Sequence, residues 1–167
     1  IGDHWTSVKY LDFSSCKRLQ YATVQLRNLG KMKMKGSNGL RSLDLETYYP
    51  EDSTIRKVDV SRMRDLVFLN LSGSKISQLS VKNNKKLEVL NVHGTNLKKL
   101  NLSVNKKLQT LDVGSTKIKK LDLSANKKIR ELDVSHTKIR TLNLSANKKI
   151  REFRCGNNRI TKMFSLP

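Results

Sequence analysis

Residues 108–118 read LQTLDVGSTKI, and residues 129–139, which lie 21 positions later, read IRELDVSHTKI. Both follow the pattern L-x-x-L-x-V-x-x-T-x-I, with Leu or Ile at the first position. That first residue recurs with the same spacing at Leu66, Leu87, Leu108, Ile129 and Ile150. A fixed period of this length is the signature of a protein built from stacked repeats. The chain is therefore expected to consist of one coil copied several times.

Each coil contains a pattern typical of extended backbone. In Leu111-Asp112-Val113 the aliphatic side chains alternate with a carboxylate, so Leu and Val point inward and Asp112 points outward. A second, shorter pattern in the same repeat, at 121–123, repeats the alternation, with Leu121 and Leu123 pointing inward. Two short extended segments fit in 21 residues, whereas a full helix hardly does. Stacking then makes a parallel sheet over a continuous Leu, Ile and Val core.

The repeated word resembles the leucine-rich-repeat consensus L-x-x-L-x-L-x-x-N/C-x-L, from residue 19 to about residue 163. The copy at 150–160, IREFRCGNNRI, also carries Asn at the ninth place. The second pattern, LDLSAN at 121–126 within a 21-residue repeat, is similar to the repeats of internalin-like bacterial surface proteins. The resemblance implies a leucine-rich-repeat solenoid of the α/β horseshoe class. We expect it to be β-rich, with a parallel sheet of about seven stacked coils and little or no α-helix.

The register divides the chain into two parts. Residues 1–18 are predicted to form an N-terminal partial coil, and residues 19–167 the leucine-rich-repeat domain. The period slips by five residues in the stretch 46–54, which is predicted to be an insertion loop because it holds Pro and acidic residues. The chain contains no run of roughly 18 apolar residues, so no transmembrane segment is expected.

Two polar columns interrupt the aliphatic pattern at the turns. Ser, Thr or Asn stands at the ninth position, at Ser74, Thr95, Thr116, Thr137 and Asn158. Asparagine stands at the turn after the second segment, at Asn84, Asn105, Asn126 and Asn147. Short polar side chains can satisfy the backbone N–H and C=O groups that a tight turn directs inward. Both columns are therefore predicted to be structural.

Nothing in the pattern predicts an enzyme, a cofactor or a metal centre. The histidines and the two cysteines have no zinc spacing, and the chain has no Gly-rich phosphate loop. The outward strand column contains several carboxylates, for which calcium is the natural candidate because it takes oxygen ligands. Solvated sheet polarity is the preferred interpretation, since the carboxylates are interrupted and no coordinating loop accompanies them. No catalytic, cofactor or metal residues are assigned.

The preferred functional hypothesis follows from the resemblance. It is a non-enzymatic scaffold for macromolecular recognition, from a bacterial cell-surface or secreted protein, which binds a protein or glycan in a role such as adhesion. Such proteins usually bind through the sheet, and aromatic and Arg side chains dominate interface energetics. The residues predicted to present this face are Tyr21, Arg41, Asp44, Phe68, Asn70, Asn91, Asp112, Arg130, Asp133 and Arg154.

Charge supports an alternative. Residues 66–167 contain 22 Lys and Arg against 6 Asp and Glu, out of a net charge of +20 for the chain. Lysine pairs precede the first strand of successive coils and are the predicted anion-binding residues: Lys85, Lys86, Lys106, Lys107, Lys127, Lys128, Lys148 and Lys149. Stacked cations raise the local positive potential, so an anionic polymer is the alternative partner. Sequence-specific nucleic acid is not expected, because no aromatic residue lies between Phe68 and Phe153 to stack on a base. A structural spacer without a partner is the third hypothesis.

Overall fold

The computed structural model describes residues 10–24, 31–34, 36–47, 53 and 55–164. Among these residues every regular element is a three-residue strand, and no segment is helical. The strands are β1 (Tyr10–Asp12), β2 (Tyr21–Thr23), β3 (Lys31–Lys33), β4 (Ser42–Asp44), β5 (Phe68–Asn70), β6 (Val89–Asn91), β7 (Thr110–Asp112), β8 (Glu131–Asp133), β9 (Thr141–Asn143), β10 (Glu152–Arg154) and β11 (Lys162–Phe164). No helix in the described part of the chain is long and apolar enough to cross a bilayer.

The first strands of successive coils form one parallel sheet of seven strands, in the order β10-β8-β7-β6-β5-β4-β2. Its register follows the sequence period: Leu111 lies between Leu90 and Leu132, each 21 residues away. Ser42 lies opposite Phe68, which is 26 residues away, so five extra residues separate β4 from β5. The solenoid with about seven coils is confirmed.

The described residues cover only part of the segments on which the predicted domain division depends. The loop 46–54 lies partly outside the described residues, which leave out 48–52 and 54. Residues 1–9 of the predicted N-terminal partial coil are also outside them. The boundary between residues 18 and 19 stays a prediction.

The second segment of each coil pairs much less regularly. In the described residues, β1 pairs with β3, β9 pairs with β11, and a single bridge joins Lys57 to Gln78. The intervening coils have no strand there. Of the two extended segments predicted for each coil, the first segments form one continuous sheet. The second segments form strands in only some coils, so that side of the solenoid is interrupted.

The core is a stack of aliphatic side chains, one layer per coil. The middle residue of each central strand points inward, and Leu69, Leu90, Leu111 and Leu132 are no more than 2% exposed. Leu121 and Leu123 are also buried while Asp122 is exposed, as the alternation predicted. Burying one such Leu stabilises the fold by roughly 2–3 kcal/mol relative to leaving it exposed.

The ninth-position column closes the turn after each first strand. The Thr95 hydroxyl donates to the Val92 carbonyl at 2.8 Å, and Thr116 does the same to Val113 at 2.7 Å. In the last copy, the amide oxygen of Asn158 instead accepts the N–H of Thr137, at 2.8 Å. The predicted structural role of this column is confirmed.

The asparagine column joins one coil to the next. Asn126 is fully buried, and its Nδ2 donates to the carbonyls of Leu102 and Asn105, both at 3.0 Å. Asn147 repeats this arrangement one coil later, donating to the Asn126 carbonyl at 3.0 Å. Each asparagine therefore ties its own turn to the turn of the preceding coil, which confirms the predicted structural role.

The two cysteines are free thiols on different columns. Cys16 is exposed, and it occupies the place that Asn147 holds in its own coil. Cys155 packs against the core at the place of Val134 but is only partly buried, because no described coil covers its far side.

Candidate partner-binding face

The solvent side of the seven-stranded sheet, called here the sheet face, is built from columns of side chains. The first residue of each strand projects outward because the middle residue points into the core. This column contains, in spatial order, Tyr21, Ser42, Phe68, Val89, Thr110, Glu131 and Glu152. Neighbouring strands of a sheet lie about 4.8 Å apart, so Tyr21 and Phe68 are separated by about 10 Å across Ser42.

The two predicted aromatic anchors differ in exposure. Tyr21 is 66% exposed, whereas Phe68 is half-buried. Two aliphatic residues accompany Phe68: Val67 precedes it, and Val89 is its partner on β6. Both are half-buried. We call Tyr21, Val67, Phe68 and Val89 the apolar patch.

Sequence reasoning missed the two valines of the apolar patch. Their position in the repeat could have identified them, because the two residues that precede the inward-pointing Leu of each strand lie on the outer surface of the sheet. In the coils outside the apolar patch these places hold polar side chains, such as Gln109 and Thr110, so the apolar character is local to the coils of Tyr21, Phe68 and Val89. The structure thereby identifies a segment of the sheet face whose chemistry differs from the rest.

The third strand residue of each coil forms the other predicted column. Its members are Thr23, Asp44, Asn70, Asn91, Asp112, Asp133 and Arg154. Five of them bend back onto the backbone: Asn70, for example, accepts the N–H of Ser72 at 3.0 Å, and Asp112 accepts that of Gly114 at 2.8 Å. Asn70 is in addition only 7% exposed, whereas the other four are half-buried. These side chains close turns, and this structural task limits what they can offer a partner.

The C-terminal coils give the sheet face a charged end. Arg130 is exposed just before β8, and Arg154 forms an ion pair with Glu152 at 3.2 Å. Glu131 accepts the hydroxyl of Thr110 at 3.3 Å. Arg41 lies exposed at the other end, before β4. The predicted residues therefore share one face, which holds the apolar patch and Arg41 in its N-terminal coils and side chains of mixed charge in its C-terminal coils.

The lysine pairs lie in exposed turns at the edge of this face. The turn that contains Lys106 and Lys107 is closed by a hydrogen bond of 3.1 Å from the Leu108 N–H to the Asn105 carbonyl. The same turn recurs in each coil, so the pairs stack in two columns. In the earliest pair, Lys86 forms an ion pair with Asp65 of the preceding coil.

Metal ligation was the other interpretation of the carboxylate column. Among the described residues, no group of three or more His, Cys, Asp or Glu side chains is placed to hold a metal ion. Asp112 uses one carboxylate oxygen for both the Gly114 N–H and the Nδ1 of His93, the latter at 3.2 Å. His136 faces the amide of Asn157 at 3.1 Å.

The chain resembles solved structures in fold. The functional domain of InlJ from Listeria monocytogenes, which includes a cysteine ladder, superposes with a TM-score of 0.70 and 22% identity over 96% of this chain and 44% of that one. The internalin InlF from Listeria monocytogenes gives 0.68 and 14%, over 90% of this chain and 56% of that one. The LRIM1/APL1C complex gives 0.65 and 13%, over 94% and 43%. The chain thus spans less than two thirds of each of these proteins.

These similarities establish the fold, which is a leucine-rich-repeat solenoid with internalin-like coils. With only Cys16 and Cys155, this chain cannot build a ladder of stacked cysteines of its own. No protein-family model matches the sequence, and no curated protein matches it either.

Proposed function

We propose that this chain is a non-enzymatic recognition module of a bacterial cell-surface or secreted protein, and that it binds a protein partner through the sheet face. The support from comparison is that Listeria monocytogenes internalins share its fold, as does LRIM1/APL1C, which is itself a complex. The observation that carries the proposal is the apolar patch.

The apolar patch has the composition of an interface anchor. Tyr21 is 66% exposed, and only the small Ser42 lies between it and Phe68 in this column. Aromatic rings bury a large area at little entropic cost, and Tyr adds a hydroxyl that can donate a hydrogen bond. Phe68 and the two valines beside it are half-buried before a partner arrives, which lowers the entropic cost of ordering these side chains on binding.

Charge at the other end of the sheet face can orient the partner. Arg130 and the Arg154–Glu152 pair are exposed, so they act at the rim, where charges change the association rate and the register more than the affinity. An apolar anchor next to a mixed-charge rim is the ordinary anatomy of a protein interface. A glycan in place of a protein would require hydroxyl-binding groups along the central coils, where many oxygens already close turns.

The test has two steps. A photo-crosslinking phenylalanine analogue placed at Tyr21 should capture the partner covalently, and the same analogue placed at Lys107 in the lysine turn should not. The captured protein is then purified, and its affinity is measured for the wild type and for the variants Phe68→Ala and Lys107→Ala. Phe68→Ala should weaken binding at least tenfold, which corresponds to about 1.4 kcal/mol, while Lys107→Ala changes it little.

Thermal unfolding of both variants controls for damage to the fold. Both should unfold near the wild-type temperature, because Leu69 beneath the apolar patch is unchanged. Equal affinity of the wild type and Phe68→Ala would remove the apolar patch as the anchor. Capture from Lys107 with the same yield as from Tyr21 would move the binding site off the sheet face.

A further inference from the structure

A groove of about 1120 Å³ lies on the interrupted side of the solenoid, where the second halves of the coils stack. Five cations and one carboxylate line it: Lys119, Lys120, Lys138, Arg140, Arg159 and Asp122. We propose that this groove binds a linear sugar or polyol polymer through its phosphate or sulfate groups. The site is separate from the sheet face, so it stands or falls independently of the protein-binding function proposed above.

The cations of the groove have no anionic partner in the described part of the chain. None of the five forms an ion pair there, although other lysines and arginines do. The one carboxylate, Asp122, accepts the Ser124 N–H at 2.9 Å and so closes its own turn. Hydrogen bonds from the Ser124 backbone and side chain lower the pKa of this carboxyl from its ordinary value. The groove is therefore a positive surface that an anionic ligand would relieve.

The backbone of the groove also has unused hydrogen-bonding groups. Just before it, successive coils are joined, since the Lys138 N–H donates to the Ile118 carbonyl at 3.0 Å. Within the described structure, no backbone hydrogen bond then joins residues 119–122 to residues 98–101 or to residues 140–143. Backbone N–H groups that no neighbouring coil takes can donate to ligand oxygens. The interruption of the second side thus supplies donors in addition to the charges.

The spacing favours an extended ligand. The cations come from three successive coils, which contribute Lys120, Arg140 and Arg159. Coils stack about 4.8 Å apart, so the charges extend over about 10 Å along the solenoid. Arginine binds phosphate and sulfate oxygens in pairs, and Lys acts as a point charge beside it. A chain with regularly repeated anionic groups fits this row better than a single small anion does.

The lining selects among polyanions. Every residue that lines the groove is described, and none is aromatic, so nucleobases would find no stacking surface. A concave site cannot lie flat on a bilayer, which argues against an anionic membrane. The lining offers Asn101, Ser103 and Thr141, whose polar groups suit hydroxyls, and Leu100 and Leu121, which suit C–H faces. A hydroxyl-rich chain carrying phosphate or sulfate is the ligand that uses all of these features.

The test compares two variants that each lose three positive charges. The groove variant is Lys119→Gln, Arg140→Gln and Arg159→Gln, and the control is Lys107→Gln, Lys128→Gln and Lys149→Gln, in the lysine turns. All six positions are exposed, so both variants should fold. Calorimetry at about 150 mM salt measures binding of poly(glycerol phosphate), of a heparin oligosaccharide and of uncharged dextran.

We expect the wild type to bind at least one of the two polyanions and to ignore dextran. The groove variant should bind at least tenfold more weakly, with a smaller dependence of affinity on salt, and the control variant should lose less than threefold. The arm that binds more tightly identifies phosphate or sulfate as the group recognised. Thr141→Lys, which adds a cation at a position where the preceding coil has Lys120, should tighten binding, and Phe68→Ala should leave it unchanged.

Several results would overturn the proposal. Equal weakening in the two variants would mean that charge alone, or the lysine pairs, attracts the polymer. Tighter binding of single-stranded DNA or of vesicles rich in anionic lipid would assign the groove to another class of ligand. Absence of binding by the wild type to either polyanion would reject the site.

Discussion

Replacing the buried Asn126 with Ala should lower the free energy of unfolding by about 2 kcal/mol. The change removes two hydrogen bonds of 3.0 Å from Nδ2 to the carbonyls of Leu102 and Asn105. A hydrogen bond between neutral groups contributes about 1 kcal/mol net. Both carbonyls keep a second donor, because Leu102 also accepts the Asn105 N–H and Asn105 also accepts the Leu108 N–H. They are therefore not left unpaired, which holds the cost near the sum of the two bonds.

Asn126→Asp should cost more, roughly twice as much near pH 7, because a carboxylate would then face two carbonyl oxygens without a donor. Burial raises the pKa of the introduced carboxyl above its ordinary value of about 3.9. The loss of stability is complete above the folded-state pKa and shrinks as the pH falls through that pKa toward about 3.9, below which the carboxyl is protonated in both states. The Asp variant should therefore recover stability, relative to the Ala variant, as the solution is acidified.

Guanidinium unfolding followed by circular dichroism, at about pH 7 and about pH 5, measures both effects. Asn143→Ala is the matched control, because Asn143 is exposed and its side chain accepts one hydrogen bond of 3.0 Å, from the Ser145 N–H. If Asn126→Ala is no more costly than Asn143→Ala, the asparagine column does not join the coils. If Asn126→Asp shows no recovery at the lower pH, the electrostatic part of the reasoning is wrong.

Two further predictions concern the turns. Gly73→Ala should lower the free energy of unfolding by more than Gly94→Ala does in the same assay. Both glycines have a positive φ, but only at Gly73 would the added Cβ overlap a backbone atom, the Thr47 carbonyl oxygen. Equal losses in the two variants would contradict this reasoning. The second prediction concerns acid. Hydrogen bonds from the side chain and backbone of Ser14 lower the pKa of Asp12 to about 2. The contribution of this carboxylate to the free energy of unfolding is therefore present above about pH 4 and is lost as the pH falls toward 2. Asp12→Asn should flatten the pH dependence of stability in that window, and an unchanged curve would show that this carboxyl does not contribute.

The repeat made the inner half of the molecule predictable. The position of a residue in the 21-residue word determines whether its side chain points inward, so Leu111 and Asn126 could be placed from the sequence. Outer side chains were harder to interpret. Asn70 occupies an outward column, yet its amide oxygen turns back to accept the Ser72 N–H and the residue is only 7% exposed. That choice depends on the backbone of the following turn, which the alternation pattern does not encode.

The groove was beyond prediction for a related reason. Residues 121–123 and 142–144 have the same Leu-x-Leu pattern. The strand Thr141–Asn143 nevertheless pairs with a strand of the next coil, whereas residues 120–122 form no strand. Pairing depends on how closely neighbouring coils approach on that side. The alternation within one repeat does not encode that approach. The cations could be counted from the sequence, but the surface they line could not.

Variation between the coils of this one chain separates structural columns from free ones. The inward column stays apolar throughout: it is Leu in the five central strands, at 43, 69, 90, 111 and 132, and changes only at the two end strands, to Ala22 and Phe153. Each central copy meets the same packing demand. The first outward column of the sheet changes from Tyr21 through Phe68 to Glu152, so no shared structural task holds it, and a partner is free to select its members. Two sets of outward positions stay basic: the column Lys98, Lys119 and Arg140 in three successive coils, and the lysine pairs in four. No hydrogen bond or ion pair of the side chains in the first column, within the described residues, requires a cation there. A ligand that needs one positive charge per coil would produce either pattern, and the matched groove and turn variants measure which of the two surfaces binds it.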